Sequence, residues 1–234
     1  MSKKRSKAML DSQAMRGMGL LAAAFVATAA GCAGEEVAGH DFTPQGAGFR
    51  AEPRGQRIEI AGGVISLATR EADEGAGGRR SLGASVTVTT TAARRGAQAL
   101  DVTPLATTQV APNLVETKRA AFTEQLRSTA EGAEQSWRFA QPPGAQGDLV
   151  VQVTPAGVAY LSSSAEGLQF VRAGELTLRY SHGVWIEADG DRTAIPAQFV
   201  NGQIQLTVPA VVMAGTAFPA VLDPQIIVTP ISGQ

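Results

Sequence analysis

Residues 147–210 are a string of runs four to eight residues long. Pro155-Ala156-Gly157, Ala165-Glu166-Gly167, Ala173-Gly174, Asp189-Gly190 and Asn201-Gly202 separate them. Runs this short, bounded by glycine turns, are the length of strands, and helices need roughly 10 residues or more. Asn-Gly and Asp-Gly favour the positive φ angles of two-residue hairpin turns, so successive runs fold back antiparallel. In Gln203–Val208, Ile204, Leu206 and Val208 alternate with Gln203, Gln205 and Thr207, the pattern of a strand wet on one side. The same period puts Val184 and Ile186 on one face of a strand and Trp185 and Glu187 on the other. The expected fold is all-β, an antiparallel meander or sandwich of many short strands.

Upstream, residues 57–70 read as two strands about a Gly62-Gly63 turn, and Ala84–Arg95 shows the Val/Thr alternation of a half-solvated strand. Residues 71–83 between them read as a loop. The last stretch carries Pro219, Pro224 and Pro230, which predicts an edge strand or an exit segment. Gly and Pro together are about 16% of the chain against a usual share of roughly 12%. With only 5% aromatic residues, the core must come mainly from Val, Leu, Ile and Ala.

The amino terminus differs from the body. Lys3, Lys4, Arg5, Lys7 and Arg16 face a single acid, Asp11, and an apolar run of thirteen residues follows from Met18 to Ala30. A membrane-spanning helix needs roughly 20 residues, so a secretory signal peptide is the better reading. Ala29, Ala30 and Gly31 stand directly before Cys32, the one cysteine of the chain. This arrangement resembles the lipobox of bacterial lipoproteins, with Ala29 where Leu is usual. The resemblance implies cleavage before Cys32 and lipid attachment to it, and Ala33 after it implies the outer membrane. The alternative is an ordinary signal peptide, with Cys32 a free thiol in a periplasmic or secreted protein. A lone cysteine makes no internal disulfide, metal sites need several ligands, and nucleophilic use would require a histidine such as His40 held beside it.

The expected organisation is a signal peptide at 1–31, a flexible tether at 32–56 and an N-terminal β region at 57–112. A β-rich module at 113–228 and a tail at 229–234 complete it. Beyond residue 31, fifteen Lys and Arg stand against twenty Asp and Glu, a net charge of minus five. Such a body has no basic field for a phosphate backbone, and nucleic acid is not an expected partner.

Catalytic patterns are sparse. The body has one histidine beyond the tether, His182, and neighbouring Ser181 would point to the opposite strand face, so the two are not a nucleophile and base. His182 is expected to be a polar residue at a hairpin end. Glu187, Asp189 and Asp191 match only part of a calcium loop, and Asp189-Gly190 is already explained as a turn, so no metal is expected. Glu116, Glu124, Glu134 and Glu187 contain no spacing that selects a hydrolytic carboxylate pair. Glu134, Gln135 and Trp137 form a candidate ligand surface, able to stack on and hydrogen-bond a sugar. The competing reading of these three is a turn with one core aromatic.

Residues 113–228 resemble a module near the N-terminus of large secreted bacterial proteins that continue into FG-GAP or other repeats. The residues carrying the likeness are Glu116, Glu124, Gly132 to Trp137, Pro142-Pro143 and Ala220 to Pro224. These are structural positions, and the resemblance implies no catalytic residue or cofactor. Local propensity favours a helix from Lys118 to Ala130, because Phe122, Leu126 and Ala130 share a helical face. The resemblance implies instead a strand ending in a turn at Gly132. It also implies that relatives continue into repeats where this chain ends at Gln234. The expected function is that of an exported, lipid-anchored, non-catalytic surface protein whose partner is a protein or a glycan. The alternatives are a hydrolase or hydrolase accessory domain acting on extracellular polymers, or the N-terminal fragment of a larger repeat protein.

Overall fold

The computed structural model describes residues 40–53, 55–71, 81–144, 146–172 and 176–230. The chain divides into Met1–Glu36 and Val37–Gln234, and every described residue belongs to the second unit. The expected signal peptide, the expected lipobox with Cys32, residues 72–80 of the expected loop and the tail from 231 lie outside the described residues.

The strands are β1 (Thr43–Gln45), β2 (Gly48–Ala51), β3 (Gln56–Ala61), β4 (Val64–Glu71), β5 (Ser81–Arg95), β6 (Gln98–Leu100) and β7 (Ala106–Ala111). Next come β8 (Leu114–Lys118), β9 (Thr123–Ser128), β10 (Ala133–Phe139), β11 (Leu149–Ala156), β12 (Ala159–Ser164), β13 (Gly167–Arg172) and β14 (Leu176–Ser181). The chain continues with β15 (Gly183–Ile186), β16 (Arg192–Ile195), β17 (Ala197–Val200), β18 (Gln203–Val208), one short helix α1 (Ala210–Gly215), β19 (Ala220–Asp223) and β20 (Gln225–Pro230). The all-β expectation holds, and the paired strands run antiparallel throughout.

Two sheets result. The first runs β1-β2-β3-β4-β5-β11-β18-β17, with β6 beside the end of β5. The second is centred on β10, flanked on one side by β9, β8 and β7. On the other side of β10 lies the segment 220–230, broken at Pro224. The half after Pro224, β20, continues the sheet through β14, β13 and β12, and the half before it, β19, continues through β15 and β16. The sheet therefore forks where Pro224 and His182 interrupt two neighbouring strands.

One core lies between the sheets. Ile58, Leu67 and Val151 meet it from the first sheet, and Leu126, Trp137 and Trp185 from the second, all buried. Period-two patterning places them. In β18, Ile204, Leu206 and Val208 are buried while Gln203, Gln205 and Thr207 are half-exposed. Trp185 packs inward against Phe139, and Val184 and Ile186 face outward. Asn201 and Gly202 adopt φ of 51° and 80°, the mirror-image turn that joins β17 to β18.

Three expectations need correction. The region read as a tether to residue 56 contains β1 and β2, which pair onto β3, and Phe42 is buried. Its glycine content misled: a Cβ on Gly48 would stand 2.1 Å from the Ile60 carbonyl oxygen, so this glycine permits close strand packing. The boundary at 112/113 does not divide the body. β7 forms a hairpin with β8, and β11, β17 and β18 from the second half join the sheet of β1–β5. The C-terminal segment is central, since β20 lies between β14 and β10 and β19 between β10 and β15. Its prolines fall before β19, between the two halves and at the end of β20, where no ladder donor is needed. Of the two readings of Lys118–Ala130, the strand is the one found: β8 ends at Lys118 and β9 occupies Thr123–Ser128.

Candidate functional site

The residues expected at a ligand surface part company in β10. Gln135 and Trp137 are fully buried, whereas Glu134 lies on the opposite, outer face. The three therefore form no common surface, for the period of two in a strand sends alternate side chains to opposite faces. Gln135 and Trp137 belong to a polar network inside the core, built around Glu124. Glu124 Oε1 accepts hydrogen bonds from Thr90 Oγ1 at 2.7 Å and Gln135 Nε2 at 2.6 Å. Its Oε2 accepts from Arg119 through Nε, at 3.1 Å, and through a second guanidinium nitrogen. Trp137 Nε1 donates to Thr90 Oγ1 at 3.0 Å and Tyr180 OH to Gln135 Oε1 at 3.0 Å, while Arg119 also bonds the Val102 carbonyl. Burial first, and the Glu124 charge second, push the Tyr180 phenol well above its ordinary range. Both oxygens of Glu124 are occupied by structural donors, and the network joins the two sheets through Thr90 of β5.

The other carboxylates are dispersed. Glu116 accepts from Gln125 Nε2 at 2.8 Å on the outer face of β8. Glu134 stands 3.6 Å from Arg127 and accepts from Gln225 Nε2 at 3.4 Å. Near it, the Asp223 carboxyl is raised above its usual range by burial and then by repulsion from Glu134, against the pull of Arg192 and Arg127. Glu187 Oε2 accepts from the Ala217 amide at 2.7 Å, and Asp189 Oδ1 accepts from the Asp191 amide at 3.2 Å, so both acids hold local backbone. No group of three or more His, Cys, Asp or Glu among the described residues is placed to hold a metal ion.

Ser181 and His182 do separate. Ser181 Oγ donates to the His182 carbonyl and accepts from the Gln225 amide at 2.7 Å. His182 Nδ1 accepts from the Ala197 amide at 3.0 Å, which leaves Nε2 as the nitrogen that carries the proton toward the Ser164 carbonyl at 3.1 Å. The imidazole thus ties β14, β17 and the β12–β13 turn at the fork of the sheet.

A concave feature with a mixed polar and apolar lining lies on a sheet face elsewhere. Outward side chains of β13, β14 and β20 line a groove of about 350 Å³ that includes Leu161, Gln169, Thr177, Arg179, Ile227 and Thr229. Alternation explains their direction, since Leu168, Phe170 and Leu178 between them are buried. Thr177 and Thr229 hydroxyls meet at 2.8 Å across the strands, and Glu166 pairs with Arg179 at the rim. A register shift between Tyr160 and Ser162 makes Leu161 the extra residue of a β-bulge, and its side chain is 57% exposed. Tyr160 beside it turns the other way and stacks on Phe199 at 4.5 Å, closing the sandwich edge between β12 and β17. Reading the sequence missed this groove. The outward polar positions are visible as alternation, but nothing local says that β14 pairs with β20, about fifty residues away, and not with β15's hairpin.

No family model matches this chain, and no curated protein and no solved structure is similar to it.

Proposed function

We propose that this chain is an exported, lipid-anchored, non-catalytic interaction protein, held at the outer membrane through Cys32, which docks a protein or glycan partner in the groove on its second sheet. Support for the anchor comes from the sequence before Cys32, where small residues follow a basic and then an apolar stretch. One acyl chain gives only marginal membrane binding, so a multiply acylated cysteine is the form that would anchor stably. The observation that carries the docking role is the groove itself, with an exposed leucine at its rim beside hydroxyl, amide and guanidinium groups. An exposed apolar side chain among hydrogen-bonding groups is the lining expected of a recognition surface. Of the carboxylates singled out for chemistry, Glu124 is paired in the core, Glu187 holds a backbone amide, and Glu116 and Glu134 bond neighbouring side chains on the outer face.

Intact mass and detergent partitioning of the natively expressed protein beside Cys32→Ala test the anchor. Acyl mass and membrane partitioning in the wild type alone support it, and an unmodified soluble wild type refutes it. A photo-reactive side chain placed at Leu161 on intact cells tests the groove. A discrete adduct is expected, whose sensitivity to protease or to glycosidase assigns the partner class, and absence of any adduct refutes the docking role.

A further inference from the structure

A second cavity lies at the end of the sandwich where β5 finishes, and it shares no lining residue with the groove. Three parts of the chain line it: Arg95 as the last residue of β5, Pro142, Gln146 and Gly147 between β10 and β11, and α1 with the residues that follow it. The cavity measures about 540 Å³, within the range of small-molecule sites. Its walls include Pro142, Met213, Ala214 and Phe218, with Gln146 at the exposed rim. Met213 is buried, and Phe218 is braced edge-on against Trp185.

The charge in this cavity is unusual. Arg95 is 8% exposed, and a guanidinium keeps its charge at any ordinary pH. One of its terminal nitrogens donates to the Pro143 carbonyl at 3.2 Å, while Nε is buried without a hydrogen-bond partner. Among the described residues no carboxylate pairs with it. Asp148, at the same end of the sheet, is turned to the Ala210 amide, which its Oδ1 meets at 2.7 Å. The buried arginine of the core, Arg119, shows the contrast, since Glu124 neutralises it there. A buried guanidinium with no counter-charge is costly, and an anion entering the cavity would relieve that cost.

We propose that this cavity binds a small carboxylate with an apolar tail. Arg95 holds the carboxylate, the Gln146 amide adds a donor at the rim, and Met213 and Phe218 cover the tail. The site is independent of the anchor and of the groove.

Calorimetric titration of the purified chain with hexanoate, acetate and neutral hexanamide tests it. Hexanoate should saturate one site with a Kd of about 1 mM or tighter, and acetate and hexanamide should bind at least about tenfold more weakly. Arg95→Gln should abolish hexanoate binding. Because that variant changes a buried group, Ala214→Trp serves beside it: it fills the cavity from an exposed position and leaves Arg95 and its bond to Pro143 in place. It should keep the wild-type circular dichroism and melting temperature and lose hexanoate. No saturable heat with hexanoate up to about 10 mM would overturn the proposal. Equal binding of hexanamide or of acetate, or unchanged binding by Ala214→Trp, would do the same.

Discussion

Replacing Glu124 with Gln removes a charge from the middle of the sandwich while keeping the shape of the side chain. The carboxamide oxygen can still accept from Thr90 and Gln135, which now bond Glu124 Oε1 at 2.7 and 2.6 Å. Its NH₂ group, however, faces the donors of Arg119, whose side chain is 1% exposed and pairs with no other acid among the described residues. Breaking a buried pair from one side costs about 3–5 kcal/mol, because the remaining charge is left uncompensated. Arg119→Met should cost a similar amount by stranding the carboxylate. In the double variant the charges are gone together. What remains is one unsatisfied amide beside the methionine and the Val102 carbonyl without its donor, about 2–6 kcal/mol in all. The two single losses sum to about 6–10 kcal/mol, so the mid-range values give roughly 4 kcal/mol of coupling. Urea unfolding followed by tryptophan fluorescence reads this, since Trp137 donates into the same network. With an m value of about 2 kcal/mol/M, each single change should lower the midpoint by roughly 1.5–2.5 M. A loss below about 1 kcal/mol for Glu124→Gln, or additivity within about 0.5 kcal/mol, would refute the view of Glu124 as a buried structural charge.

Two further outcomes follow from the sheet surface. The Asp223 carboxyl is raised in the folded protein, so folding disfavours its charged form, and its contribution to stability is lost as pH rises from about 4 through the raised value. Asp223→Asn should therefore be the more stable protein at neutral pH, with the difference closing below about pH 4, and thermal melts across that range check it. Gly202→Ala should cost about 1–2 kcal/mol, because φ of 80° is open to glycine and strained for alanine, and chemical denaturation measures the loss.

Much of the fold is written locally. The glycine turns of residues 147–210 and the period of two in Gln203–Val208 require short antiparallel strands whatever the rest of the chain does. The stretch 118–130 shows where local reading divides. Phe122 and Leu126 are four apart, a spacing that fits a helix face and equally fits two steps of strand alternation. The residue that would settle it is Glu124, midway between them and buried to 1% exposure. A glutamate there reads as solvent-facing, and only its partner Arg119, with Thr90 from the first sheet and Gln135 from the next strand, makes its burial tolerable.

By itself, then, the sequence determined the all-β class, the hairpin turns at Gly62-Gly63 and Asn201-Gly202, and the inward positions of single strands. These depend on dihedral preference and on side-chain alternation, which act over a few residues. Tertiary structure alone decided that β1 and β2 belong to the sheet, that 220–230 runs through its centre, and that Gln135 and Trp137 are core. It also decided that Arg95 ends in a cavity without a counter-charge. Each of these depends on which strand pairs with which across long sequence separations. That choice is made by the global fit of two sheets over one core, and no local preference encodes it.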